Sequence, residues 1–430
     1  MRWLTAIAAV GLAVRLGYVF GWQYGVPIGG DSFYYHNAAN LLADGRGFID
    51  PYDYHTRGWV EDSADHPPLY IVVLAAGSLL GLDGYLAHQI LSCLIGTVTI
   101  VLVGVTGREV IGPRAGLLAA AVVAVYPNFW LNDGVVLSEG LAQTTTALTV
   151  LLAYRFWRRR TVRSAVWLGV GIALATLSRA EAVLLPVLLT LPLALVLRPV
   201  PVRRRLRLWF VSGVAAAAVL APWVGYNLAR FEQPVTVSGG FDITLLSANC
   251  DDTWYGVHRG FWSFNCVKGE PRVHRDRSTQ GLIYRDKALA YIGDRLPELP
   301  ALLLAREGRT WGWYRPDQTP LLDAIETRPV PAARVALAML YGLEIAAVFG
   351  VLTLRRRRVT VVPCVALLVN VSISTAITFG QTRYRAAAEV ALVLLAVAGI
   401  DGLLRHLADR RRARSAAAAA PDTVPAGVPA

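Results

Sequence analysis

Long apolar stretches recur along this chain, separated by short polar turns. Residues 3–22 form the first. Others lie near 86–106, 115–131, 136–157, 164–178, 180–197, 208–224, 333–353, 359–379 and 386–404. Each meets or approaches the roughly 20 residues a helix needs to cross about 30 Å of hydrocarbon. The first resembles a signal sequence, but no small-residue cleavage site follows it, so it reads as an uncleaved helix. The pattern predicts an all-α integral membrane protein.

The turns fix its sidedness. Five short segments (108–114, 155–163, 198–207, 355–358 and 405–414) hold 21 of the 42 Lys and Arg residues, each beside an apolar run. Basic turns mark the cytoplasmic side. With all five inside, the helices from residue 86 onward alternate without conflict. Residues 132–135, Arg179, 225–332 and Gln381 to Arg385 then fall outside, and Met1-Arg2 inside places residues 23–66 outside. Residues 67–82 break the parity and are short for a span, which predicts an interfacial or re-entrant helix. The count is about ten transmembrane helices plus that helix, after a large first extracytoplasmic loop. Eleven spans with an outside N-terminus is the rival.

The domain reading follows. Residues 1–224 form an N-terminal transmembrane module with outer loop 23–66. Residues 225–332 form an extracytoplasmic segment with an interfacial Trp311-Gly312-Trp313-Tyr314 end. Residues 333–404 supply the C-terminal helices. Residues 405–430 make a cytoplasmic tail, basic and then disordered from Ser415. No internal repeat of the transporter kind is visible.

Composition changes this picture little. The chain is 55% hydrophobic with mean hydropathy +0.45. The net charge of +12 sits in the turns, with no helix-turn-helix, zinc or RNA-binding signature, so nucleic acid is excluded as a partner. Cys93 and Cys364 fall in apolar runs and read as buried fillers. Cys250 and Cys266 lie in the outer segment and are a candidate disulfide.

Candidate chemistry concentrates in the first outer loop. It carries seven acidic residues (Asp31, Asp44, Asp50, Asp53, Glu61, Asp62, Asp65), two arginines and three of the seven histidines. Most of these carboxylates read as solvated. Asp31 follows Gly29-Gly30, which permit a tight turn. It fits either a helix N-cap or a general base held at the membrane surface. Asp65 and His66 are aimed by Pro67-Pro68; His66 could contact a phosphate or metal, or cap the surface. Glu139 lies at the outer end of a helix, where a carboxylate needs protein or water to face; Asp133 nearby reads as freer. Arg179 and Glu181 sit at an outer junction and suggest a pair. Arg15, inside the first helix, requires a partner. Arg383, Tyr384 and Arg385 form a basic outer turn, an exception to the positive-inside rule that suggests a bound anion such as a lipid phosphate. No spacing demands a metal, although Asp31, Asp65, His66 and Glu139 offer donors suited to a divalent ion, and no cofactor motif is present.

His-Pro-Pro-Leu-Tyr (66–70), Ser-Glu (138–139), Leu-Ser-Arg-Ala-Glu (177–181), Pro-Trp (222–223) with Asn227, and Arg-Tyr-Arg (383–385) follow the early acidic residue in this order. The set resembles the polytopic glycosyltransferases of the C superfamily (GT-C), nearest to the protein-mannosyltransferase and aminoarabinose-transferase-like branch. The resemblance covers about residues 1–405. It implies a polyprenyl-phosphate-linked sugar donor and transfer of a hexosyl or pentosyl group, with inversion, on the outer face of the cell membrane. The acceptor would be an envelope glycan, lipid or protein hydroxyl. Asp31 matches the family's catalytic carboxylate and Glu139 a second acidic position near the cavity. Asp65-His66 matches an acidic–basic pair before the prolines, and Arg383 and Arg385 match the basic region that holds donor phosphate; Arg179 and Tyr384 complete the candidate binding set. Ser32 stands where protein mannosyltransferases often have Glu, and His66 replaces a lysine of some relatives. A lipid-linked-sugar flippase and a non-catalytic envelope-assembly protein are the alternative readings.

Overall fold

The computed structural model describes residues 2–197 and 199–418. Among these the chain is helical, with one isolated antiparallel bridge between Ile49 and Asp62. The helices in chain order are α1 (Arg2–Tyr18), α2 (Gly30–Ala43), α3 (Pro51–Arg57), α4 (Leu69–Leu79), α5 (Tyr85–Val110), α6 (Pro113–Val125), α7 (Pro127–Asp133), α8 (Ser138–Arg159), α9 (Val162–Ser178) and α10 (Leu191–Leu195). There follow α11 (Val202–Arg230), α12 (Phe241–Ser247), α13 (Asp251–Trp254), α14 (Arg277–Gly293), α15 (Leu299–Thr310), α16 (Thr319–Asp323), α17 (Val330–Arg356), α18 (Val362–Ile377) and α19 (Ala386–Ala418).

Among the described residues, five segments are long and apolar enough to cross a membrane alone: Arg2–Gln23, Tyr85–Val110, Val202–Arg230, Val330–Arg356 and Thr382–Ser415. The expected span 115–131 is instead the bent pair α6–α7, which turns by 53° at Tyr126-Pro127. The ring at Pro127 removes a helical hydrogen bond and starts a new helix. The expected span 180–197 is a composite, with a 3-10 turn (Ala180–Leu184) and a π turn (Pro186–Thr190) before α10. Pro186 and Pro192 interrupt it for the same reason. Helix α8 is long but polar at its start, where Ser138, Glu139, Gln143, Thr145 and Thr146 are covered by neighbouring helices. Polar groups at membrane depth face protein in this way. Helix α4, 11 residues or about 16 Å long, is too short to cross. It lies on α2, burying Tyr70, Ile71 and Leu74 against Tyr34, Tyr35, Ala38 and Ala39.

The main core runs through the long helices and is rich in Ala, Val and Leu. Close approach is made by glycine. A Cβ at Gly350 of α17 would lie 1.8 Å from the Leu395 carbonyl of α19, and one at Gly399 would lie 2.1 Å from that of Ala346. Such small-residue contacts let membrane helices pack backbone to backbone. Arg15 finds its partner in Asp133, 2.7 Å away, with both side chains fully buried. The sequence suggested a freer Asp133; the cost of burying Arg15 alone accounts for the difference.

The loop of residues 23–66 is also less solvated than expected. Asp50, Asp53 and Glu61 are buried, and they face arginines from the segment 225–332. Arg277 reaches Asp50 at 2.6 Å, Asp53 at 3.1 Å and Asp65 at 2.5 Å. Arg272 pairs with Asp53 and Glu61, and Arg275 reaches Glu61 at 3.0 Å. Loop and segment are thus clamped by charge across more than 200 residues of sequence. Cys250 and Cys266 are joined by a disulfide, whereas Cys93 and Cys364 are free and buried. Ser415 to Ala418, expected to be disordered, continue α19. The rest of the expected disordered tail lies outside the described residues.

Candidate active site

Four segments far apart in sequence meet at one end of the helix bundle. Gly30, with φ +52°, allows the chain to turn sharply into α2, and Asp31 follows in its first turn. A side chain at φ above zero is disfavoured, which explains the glycine. The residue preceding α2 is Gly29, and Asp31 makes no capping hydrogen bond to the helix. Glu139 stands in the first turn of α8, at the positive end of the helix dipole. Arg179 follows the last turn of α9, at the negative end. Arg383 lies on a 3-10 turn, Thr382–Arg385, that opens into α19. This end of the bundle is opposite the arginine-rich turn between α8 and α9, since α8 runs from Glu139 towards Arg159 and α9 returns to Ser178.

Arg383 organises the cluster. Its Nη2 donates to Asp31 Oδ2 at 2.5 Å, its Nη1 to Glu326 Oε1 at 2.6 Å, and its Nε to Glu139 Oε1. Arg179 binds the same Glu139 oxygen at 2.6 Å and Glu181 at 2.6 Å, while its guanidinium lies 4.6 Å from the ring centre of Tyr384. Glu139 is fully buried and forms the floor. Asp31 and His66 form the rim, with 33% and 27% of their side chains exposed. His66 Nε2 lies 3.7 Å from Asp31 Oδ1, and its ring packs edge-on to Tyr34 and beside Tyr35. Burial pushes the Asp31 carboxyl up. Arg383 and then His66 more than offset this and hold it well below the ordinary carboxylate range.

Of the eight candidate residues, the structure brings together Asp31, Glu139, His66, Arg179, Arg383 and Tyr384. Asp65 turns away from His66 to Arg277, as the loop clamp requires. Arg385 also leaves the cluster. It is buried against Glu389 at 2.7 Å and donates to the Thr310 carbonyl. A 3-10 turn places successive side chains on different faces, so Arg383 and Arg385 cannot share one anion. Glu326, on the 3-10 turn Ala324–Glu326, was missed in sequence. It lies in the hydrophilic segment with no local motif, and only the fold carries it to Arg383.

Among the described residues, no group of three or more His, Cys, Asp or Glu side chains is placed to hold a metal ion. The two carboxylates best placed for one, Asp31 and Glu139, are both bound by Arg383. As arranged, the residues do not fit a divalent ion.

Residues 65–226 match the family of dolichyl-phosphate-mannose-protein mannosyltransferases. No curated relative matches the sequence. Among solved structures, the chain is similar to the archaeal oligosaccharyltransferase AglB from Archaeoglobus fulgidus in complex with an inhibitory peptide and a dolichol-phosphate. The TM-score is 0.54 and the identity 15%, over 98% of this chain and 52% of that one. The same enzyme tethered to an acceptor peptide gives 0.53 and 16%, over 98% and 52%. ArnT from Cupriavidus metallidurans bound to undecaprenyl phosphate gives 0.44 and 15%, over 98% and 81%. The chain spans about half the length of the oligosaccharyltransferase structures, and at these identities the likeness is one of fold. The helix order, the family match over residues 65–226 and the AglB superposition agree: this is a polytopic membrane protein with the fold of the GT-C superfamily of glycosyltransferases.

Proposed function

We propose that the protein transfers a sugar from a polyprenyl-phosphate donor to an acceptor hydroxyl, at the outer face of the cell membrane. The observation that carries this reading is the pairing of a partly exposed carboxylate, Asp31, with a cation, Arg383, at the end of a membrane-embedded bundle. The family match and the dolichol-phosphate complex of AglB support the donor class.

In the proposed reaction the acceptor oxygen attacks the anomeric carbon as the bond from that carbon to the phosphate oxygen breaks. The acceptor proton passes to Asp31. The polyprenyl phosphate leaves with the bonding electron pair, and its charge is held by Arg383, with His66 at the rim. A single displacement of this kind inverts the anomeric centre. Every nitrogen of Arg383 is already given to a carboxylate. The guanidinium carries five N–H groups, so the second N–H on Nη1 and on Nη2 is left for the donor phosphate. Arg179 and Tyr384 then keep Glu139, and through it Arg383, in place.

The test is a reconstituted assay in proteoliposomes with polyprenyl-phosphate hexoses and pentoses and envelope extracts as acceptors. Transfer of label to acceptor, with release of polyprenyl phosphate, is expected from the wild type. Movement of the lipid-linked sugar between leaflets without transfer would overturn the proposal in favour of a flippase.

A further inference from the structure

Helices α9 and α11 cross closely at Gly169, where a Cβ would meet the Ser212 carbonyl at 2.2 Å. Beside this crossing lies a groove of about 350 Å³, lined by Val166, Phe210, Val211, Val214, Ala215 and Ala218. It holds no polar side chain. Its volume is about a dozen times the share of one liquid water, enough for a length of alkyl chain.

The helix periodicity says what lies at its end. On α11, Arg203, Arg207, Phe210, Val214 and Ala218 are spaced by three or four residues and share one face. On α9, Arg163 stands three residues before Val166, again on one face. The groove therefore runs directly into three arginines. All three are exposed, and none makes an ion pair among the described residues. Other arginines in these turns are engaged: Arg155 pairs with Glu109 at 2.6 Å, and Arg205 donates to the Leu195 and Val200 carbonyls.

We infer that this groove is a binding site for an anionic phospholipid of the leaflet on the arginine-rich side. One acyl chain lies along Phe210, Val214 and Ala218, and the headgroup phosphate is bound by Arg163, Arg203 and Arg207. The charge at one end selects a negative headgroup, and the apolar trough below it selects a chain. Basic pockets between helices on the positive side suit such lipids. The site is at the opposite end of the bundle from Asp31, so its ligand is distinct from the sugar donor.

The experiment is native mass spectrometry of the full chain released from nanodiscs of phosphatidylglycerol and phosphatidylcholine in equal amounts. The wild type is expected to retain one phosphatidylglycerol, about tenfold or more over phosphatidylcholine. Arg203→Ala with Arg207→Ala should abolish the preference. Ala218→Trp, which fills the trough and leaves the charges, should lower retention of both lipids. The charge-matched control Arg410→Ala with Arg411→Ala should change nothing. Equal retention of the two lipids, or a preference that survives the α11 substitutions, overturns the inference. So does a disulfide-linked dimer formed by Phe210→Cys, which would make the groove an interface between copies.

Discussion

Arg383 donates to three carboxylates, and most of the site's chemistry follows from that. Its effect on Asp31 can be read by pH. A carboxyl whose folded pKa is depressed stays ionised far into the acid range. Its ionic contribution is present above the ordinary value and is lost only as pH falls through the depressed one. Transfer by the wild type should therefore show no acid limb near the ordinary carboxylate pKa of about 4. Arg383→Gln removes the larger of the two stabilising charges. It should bring an acid limb up towards or above that value, alongside a loss of donor affinity. Asp50 shows the opposite sign. Burial, with Asp65 and Asp53 as repelling neighbours, outweighs the attraction of Arg277 and raises its pKa from 3.8 to about 6. The folded loop thus holds this proton more tightly than the unfolded chain. That contribution is present at low pH and is lost as pH rises through about 6. Asp50→Asn, which keeps an acceptor for the Asp53 N–H that it caps, should flatten this part of the pH profile. At pH 7.5 it should match or exceed the wild type by on the order of 1 kcal/mol in thermal or denaturant unfolding. The sequence pointed to Asp31, Glu139, Arg179 and Arg383 because each is a charge at an apolar boundary, where it needs a reason. It could not show that Arg385, two residues from Arg383, faces Glu389 in the core, nor that Glu326 joins the cluster.

At the scale of elements, the apolar runs placed helices well wherever a run was uninterrupted. They failed to show breaks, because proline at 127, 186 and 192 interrupts regular α-helix without making its surroundings less hydrophobic. The pairing of helices was hidden for a different reason. In lipid, contact depends on small residues rather than on apolar area, and Gly350 and Gly399 look like any other glycines in sequence. Gly350→Leu should prevent α17 from meeting α19 and yield a protein that fails to remain monodisperse on size-exclusion in mild detergent. Gly342→Leu on the same helix, where an added Cβ meets nothing within 4 Å, should not. The outer loop was misjudged as solvated because its partners, Arg272, Arg275 and Arg277, lie more than 200 residues away. Arg277→Ala should loosen this clamp while leaving the membrane helices intact. Hydrogen exchange should then quicken across residues 50–65 and stay unchanged in α5 and α8. Transfer should fall as His66 loses its fixed place beside Asp31.

At the scale of the whole molecule, charge in the turns and parity of the runs together give a bundle with one arginine-rich end and, opposite it, the end that carries the proposed active site. The structure adds depth to that division, with Glu139 as a buried floor and Asp31 and His66 as an open rim. The central claim is that Arg383 holds the donor and Asp31 removes the acceptor proton. Its most direct test is a paired measurement on purified protein, of binding of a polyprenyl-phosphate sugar and of its transfer in a single turnover. Asp31→Asn should bind donor within a few-fold of the wild type but transfer it 10²–10⁴-fold more slowly, the usual range for a lost general base. Arg383→Gln should bind donor about tenfold or more weakly than the wild type, with transfer still measurable at high donor concentration. An Asp31→Asn protein that transfers at the wild-type rate, or an Arg383→Gln protein that binds donor unchanged, would contradict the account.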